Sequence, residues 1–273
     1  MLPTGSMHPL KAREGIPCRT YVAESLQELI FRQIERGGKM VQELKRRVCE
    51  ANQALEQHGL IILTWGNVSG IDRAAGLVVI KPSGVAYCDL APDSMVVVDL
   101  DGRIVEGRMR PSSDLPTHLE LYRCFPEIGA VTHTHSPNAT AFAQAGRPVP
   151  CLGTTHADYF HGPVPITRAL ARAEIQDAYE LNTGRVIVER FTGLDPMRMP
   201  AVLVAHHGPF TWGRTPEEAV ENCAALEAVA VIAMKTIAIA PGAGDIPRPL
   251  ADKHFLRKHG PTAYYGQDQQ PPK

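Results

Sequence analysis

Charge of one sign is what this sequence most plainly lacks: 28 Lys and Arg against 29 Asp and Glu leave a formal net charge of -1. A nucleic-acid groove or a polybasic membrane contact needs clustered positive charge, so neither partner is expected. Aromatic residues are also scarce, at 6%, although 44% of the 273 residues are hydrophobic, enough for a substantial core. No apolar stretch is expected to reach the ~20 residues of a membrane span. Met1 to Ile16 contain Pro, Lys, Arg and Glu without an apolar centre, which argues against a secretory signal. The six cysteines (Cys18, Cys49, Cys88, Cys124, Cys151 and Cys223) form no Cys-x-x-Cys pair. They read as reduced thiols of a cytoplasmic protein rather than a zinc knuckle or a disulfide framework. A His-Glu-x-x-His motif is missing too, which disfavours a metallohydrolase.

What is present divides at Met40. Residues 1–39, punctuated by Pro3, Pro9, Pro17 and Gly37-Gly38, read as an extension of unknown role with a short helix from Ser25 to Ile34. Residues 40–273 read as one α/β domain. Val41, Leu44, Val48, Ala51 and Leu55 recur at helical steps, and Gly59 suits the helix C-terminus. Strands are expected at Leu60–Leu63, Leu77–Ile80, Met95–Leu100, Arg103–Val105, Ile128–His135, Val186–Glu189 and Val202–Ala205, with Asp101-Gly102 as a hairpin turn. Helices are expected at Leu119–Phe125, Pro137–Ala145 and Arg168–Leu181. A last buried helix is opened by Thr215-Pro216-Glu217-Glu218, a capping box with proline at the first helical position. Hairpins mean that the sheet is not purely parallel.

Among eleven histidines, His133 and His135 lie two residues apart in an apolar run. On a strand they share a face, and neutral imidazoles placed together suit Zn²⁺ or a similar ion. Buried histidines that merely hydrogen-bond fit the same pair. His206-His207-Gly208 ends another apolar run and offers a third ring, and the residues alone do not rank His206 against His207. Asp114 stands before a helix, as a ligand or as an ordinary N-cap. Three imidazoles with a carboxylate would leave room for substrate oxygens. Gly66-Asn67-Val68-Ser69, Lys81-Pro82-Ser83-Gly84 and Ser112-Ser113 are donor-rich turns of the kind that cradle phosphates.

In this order, Thr64-Trp65-Gly66-Asn67-Val68-Ser69, Lys81-Pro82-Ser83-Gly84, Ser112-Ser113-Asp114, His133-Thr134-His135 and His207-Gly208 resemble the class II aldolase/adducin family. Two further segments resemble its 4-epimerase branch: Gly153-Thr154-Thr155-His156-Ala157-Asp158-Tyr159-Phe160, and the tail from Asp252 to Gly260 with Tyr264-Tyr265-Gly266-Gln267. The resemblance, over about Met40 to Gln267, implies a single three-layer αβα domain with a mixed, largely antiparallel sheet, in a cyclic homotetramer with sites at subunit interfaces. It implies Zn²⁺ or another divalent metal such as Mn²⁺ on His133, His135 and His207 with Asp114 close by, and phosphate binding by Asn67, Lys81, Ser83, Gly84, Ser112 and Ser113. It assigns acid/base work to Asp158 and Tyr265, the tyrosine in a neighbouring subunit's site. Without the resemblance these two would read as a turn carboxylate and a tail aromatic. The implied substrate is a small sugar phosphate, and the implied reaction converts L-ribulose 5-phosphate to D-xylulose 5-phosphate by C3–C4 cleavage and re-addition. A sugar-phosphate aldolase of the L-fuculose-1-phosphate type and a non-catalytic adducin-like module are the alternatives. His161 departs from the pattern, standing where related chains often carry Tyr.

Overall fold

A computed structural model describes residues 26–261 and 263–265, with side chains from Gly38 onward. Gly266 and Gln267 of the tail motif lie outside the described residues. Helix α1 (Leu26–Gln57) includes Gly37 and Gly38, where the sequence predicts a stop. Its Val41, Val48, Ala51 and Leu55 are buried, as their spacing predicts. Gly59 follows in the left-handed region at φ 66°.

The sheet consists of β1 (Asn67–Asp72), β2 (Leu77–Ile80), β3 (Val96–Asp99), β4 (Ile104–Glu106), β5 (Ala130–His133), β6 (Ala201–Leu203) and β7 (Pro209–Gly213). Their order is β4-β3-β2-β1-β5-β7-β6, and every pairing between named strands is antiparallel. The expected mixed sheet is thus antiparallel, and among the described residues a parallel element occurs only in the isolated Ile166–Leu203 bridge. The helices are α2 (Leu115–Cys124), α3 (Pro137–Gln144), α4 (Thr154–Ala157), α5 (Arg172–Gln176), α6 (Tyr179–Arg190), α7 (Pro216–Ile239) and α8 (Arg248–His259).

Alternation along the strands builds two cores. Val78, Ile80, Val96 and Val98 face one core with Leu119 and Phe142, while Val79, Met95 and Val97 face the other with Val48 and Leu55 of α1. Layers of helix on both faces of one sheet result.

Several sequence expectations fail for identifiable reasons. The single helix expected over Arg168–Leu181 is divided, with α5 ending at Gln176 and α6 starting after the left-handed Ala178. Leu60–Leu63 is an irregular turn with Leu63 at φ 55°. Val186–Glu189 lies inside α6, because a β-branched run can equally form the buried face of a helix. The Gly66–Ser69 "turn" is mostly strand β1, whose residues are all buried. Strand β7, hidden behind Pro209 and Gly213, sits between β5 and β6. Helix α7 also corrects the estimate of apolar length: its 24 residues could cross a membrane by length and composition. Ala219, Cys223, Leu226, Ala230 and Ala233 instead bury one face in the domain. At its start Thr215 Oγ1 accepts from the Glu218 N–H, but the Glu218 carboxylate accepts from Arg214 N rather than closing the box on Thr215.

Candidate metal and phosphate site

Strand β5 and the β6–β7 turn converge three imidazoles on one point. β5 ends at His133, and His135 follows in the segment leading to α3. Their Nε2 atoms are 3.2 Å apart. His207 reaches them from the turn between β6 and β7, with its ring centroid 4.8 Å from His133 and 5.1 Å from His135. In that turn His206 takes φ 62° and is solvent-exposed, so of the two adjacent histidines only His207 joins the group. Gly208 is required there, because a Cβ would stand 2.8 Å from the Thr134 carbonyl oxygen.

The three residues each offer a ligand atom within 4.8 Å of the others. His133 Nδ1 donates to the Pro209 carbonyl at 2.9 Å, which leaves Nε2 with its lone pair turned toward the other rings. Burial first, then the neighbouring imidazoles, pushes His207 down to about 3 and lowers His135. Both therefore stay neutral near pH 7, the form that binds a cation. Three convergent nitrogen donors fit a divalent ion of the Zn²⁺ type.

Asp114 occupies the N-cap position of α2 yet makes no capping bond from its side chain. Its Oδ2 instead accepts from Asn67 Nδ2 at 2.7 Å, and the carboxylate lines the same pocket as the imidazoles. Burial pushes this carboxyl up, but the nearby His133 and His118 imidazoles and the Asn67 bond outweigh it and hold it below its ordinary value. Asn67 also donates to Ser112 Oγ at 3.0 Å, while its own Oδ1 is buried without a partner. Gly66 makes the approach possible: a Cβ there would lie 2.9 Å from His133 O.

The pocket, of about 480 Å³, is also lined by Lys81, Ser83, Gly84, Ser112 and Ser113. The two loops that carry them are tied by Ser112 N to Lys81 O and Ser83 N to Arg110 O, both at 2.9 Å. Lys81 is 2% exposed, its Nζ donates to Val85 O, and burial lowers its pKa to about 8. Every residue expected at the metal and phosphate subsites therefore lies around one cavity. Tyr179 and Glu180, which the sequence reading passed over, line it as well, and Tyr179 Oη is 3.4 Å from His207 Nδ1. Ala178, at φ 52°, breaks α5 from α6 to place them, and no Gly or Asn marks that break.

Asp158 and Tyr265 stand elsewhere on the chain's surface; neither lines this pocket. Asp158 follows α4 and is held from α8: His254 Nδ1 donates to it at 3.0 Å and Arg257 Nη2 at 2.9 Å. Tyr265 is 61% exposed, with the guanidinium of Arg257 4.9 Å from its ring centroid. His161 bonds Asp252 Oδ1 at 2.7 Å through Nε2, joining the loop after α4 to α8.

Comparison with known proteins follows this geometry. Residues 46–234 match the Class II Aldolase and Adducin N-terminal domain. L-ribulose-5-phosphate 4-epimerase UlaF of Salmonella paratyphi A is 56% identical over 227 residues, covering 83% of this chain and 100% of that protein. In fold the chain resembles an L-fuculose 1-phosphate aldolase (TM-score 0.66, 24% identity, 78% of this chain and 94% of that one). It also resembles the L-fuculose-1-phosphate aldolase of Thermus thermophilus (TM-score 0.57, 26% identity, 76% and 99%).

Proposed function

Because the chain belongs to the class II aldolase and adducin family, we propose that it is an L-ribulose-5-phosphate 4-epimerase, converting L-ribulose 5-phosphate to D-xylulose 5-phosphate in the cytoplasm. The observation that carries this reading is the joining of an intact three-imidazole group to the Lys81 and Ser112 loops in one cavity, in a chain 56% identical to such an epimerase over all of that enzyme.

C4 of the substrate has no acidic proton, so its configuration inverts only if the C3–C4 bond opens. The bond's electron pair passes to C3, conjugated with the C2 carbonyl, while the C4 hydroxyl gives up its proton and becomes an aldehyde. The aldehyde, glycolaldehyde phosphate, turns over and is re-attacked by C3 on its other face. A Zn²⁺ or Mn²⁺ ion on His133, His135 and His207 would supply Lewis-acid polarisation of the ketone. Asp114, held by Asn67, would add a fixed negative charge to the cavity that the three imidazoles share. Asn67, Lys81, Ser83, Gly84, Ser112 and Ser113 hold the phosphate, with the Lys81 ammonium as the charged anchor. That grip keeps the aldehyde fragment in the cavity while it turns, which separates epimerisation from release of the fragment by an aldolase.

The C4 oxygen points in two directions in the two epimers, so a proton acceptor or donor is needed on each side. Asp158 and Tyr265 take these roles from a neighbouring subunit. Neither residue lines the histidine pocket of its own chain, which supports this, as does Trp65, 50% exposed in the wall of that pocket. The assembly is a homotetramer. Mixing the inactive His133→Ala and Asp158→Asn proteins under conditions of subunit exchange tests it. Activity returns if one chain's histidines work with another's Asp158; no return despite confirmed exchange contradicts the shared site.

A further inference from the structure

We propose that Arg257 is a positioning residue that locks Asp158 and Tyr265 into one rigid proton-transfer unit. The inference rests on the epimerase reading above and extends it to a residue that reading does not use. Arg257 lies in the last turn of α8 and touches both groups at once. Its Nη2 donates to Asp158 Oδ2 at 2.9 Å and to Oδ1 at 3.0 Å, and its Nε donates to Oδ1 at 3.2 Å. Such a fork fixes the plane of a carboxylate as well as its position, which an ammonium cannot do. On the other side the guanidinium lies 4.9 Å from the Tyr265 ring centroid. The backbone takes part too: Arg257 O accepts the N–H groups of Tyr264 at 3.0 Å and of Tyr265 at 3.2 Å. One residue thus ties the loop after α4 to the chain's tail.

The tie has a chemical consequence. Burial pushes the Asp158 carboxyl up, but hydrogen bonds from Arg257 and His254 and the charge of Lys258 more than offset it, so the group lies below its ordinary value. Asp158 is therefore held ionised as a proton acceptor. The other titratable groups facing it are His254, Lys258 and Tyr159, while His259 Nε2 donates to its backbone carbonyl at 2.9 Å. Lys258 also lies 4.6 Å from the Tyr265 ring and 4.5 Å from that of Tyr159. Of these groups Arg257 alone bonds Asp158 and also contacts Tyr265.

Arg257→Gln and Arg257→Lys separate positioning from folding. Arg257→Gln is expected to lower kcat about a hundredfold, the scale of a misplaced catalytic group, with KM little changed. It should also move the acid limb of kcat/KM up by about one pH unit or more, as expected when an Arg beside an Asp is lost. Arg257→Lys, which keeps the charge but not the fork, should restore most of the pH limb and little of kcat. The substrate-free readout is the carboxyl titration of Asp158 in the full-length, ¹³C-Asp-labelled protein, assigned by its loss in Asp158→Asn. That titration should shift upward in Arg257→Gln. An unmoved titration, or full kcat in both Arg257 variants, overturns the proposal. A wild-type protein that binds metal but does not epimerise, while Asp158 titrates low only with Arg257 present, contradicts the function and leaves the positioning claim standing.

Discussion

Acidification should destabilise the metal-free protein through a histidine buried behind the site, and His118 allows the size of the effect to be worked out. His118 is fully buried on α2, its Nδ1 pairs with Ser69 Oγ at 2.7 Å, and its Nε2 has no partner. Burial pushes its pKa from the usual 6.5 to about 3, against the attraction of Asp114. The folded state thus refuses a proton that the unfolded chain accepts. Stability from this residue is complete above about pH 6.5 and falls by about 1.4 kcal/mol per pH unit until about pH 3. Between about pH 7.5 and about pH 5 the loss integrates to about 2 kcal/mol. The carboxylates with lowered pKa, such as Asp114 and Asp158, contribute mainly at lower pH, so the window isolates imidazoles. His118→Gln should be less stable than wild type at neutral pH, through lost packing against Phe210, yet lose stability less steeply on acidification. Urea unfolding of chelator-treated protein at fixed concentration, followed by Trp fluorescence at several pH values, measures both slopes. A difference near 1.4 kcal/mol per pH unit supports the reasoning, and parallel curves for the two proteins refute it.

Other outcomes follow from single contacts. Asn67→Ala leaves Asp114 and Ser112 without their shared donor, so it should cost about 1–3 kcal/mol of stability by chemical unfolding and loosen metal binding by equilibrium dialysis. Lys81→Met should raise KM for the phosphorylated substrate far more than it lowers metal content, which parallel kinetics and metal analysis would check. Gly129→Ala would drive a Cβ into the Arg214 carbonyl oxygen and should destabilise the fold by about 3 kcal/mol or more, read as a lowered melting temperature. A chain beginning at Met40 keeps the buried α1 face from Val41 onward and should fold and turn over normally by circular dichroism and activity assay.

The residues proposed for metal and phosphate, which share one cavity, were legible because each sits in a short, ordered motif whose chemistry is local: two histidines two apart, a glycine after a third, hydroxyls beside a lysine. The apolar spacing of α1 from Val41 to Leu55 was equally readable, although its continuation back through Gly37 and Gly38 was not. The strand edges were not. β1 begins inside what reads as a Gly-Asn turn, because Asn67 is polar and its partners, Ser112 and Asp114, are more than forty residues away. β7 starts with proline, a strand breaker tolerated at a first position. α6 swallowed an expected strand because Val186 and Ile187 are buried on a helix as readily as in a sheet. Tyr179 escaped notice because its placement depends on the left-handed Ala178, for which no residue-type signal exists. The Asp158–Arg257 contact joins residues 99 apart, and no periodicity points to it.

Incubation of the metal-loaded protein with L-ribulose 5-phosphate tests the central claim most directly, with D-xylulose 5-phosphate and free glycolaldehyde phosphate followed together. The account predicts an approach to equilibrium between the two pentulose phosphates, no accumulating aldehyde, and loss of the reaction in His133→Ala. Stoichiometric release of glycolaldehyde phosphate without the epimer would make the protein an aldolase, and turnover in rigorously metal-free protein would contradict the role given to the three histidines.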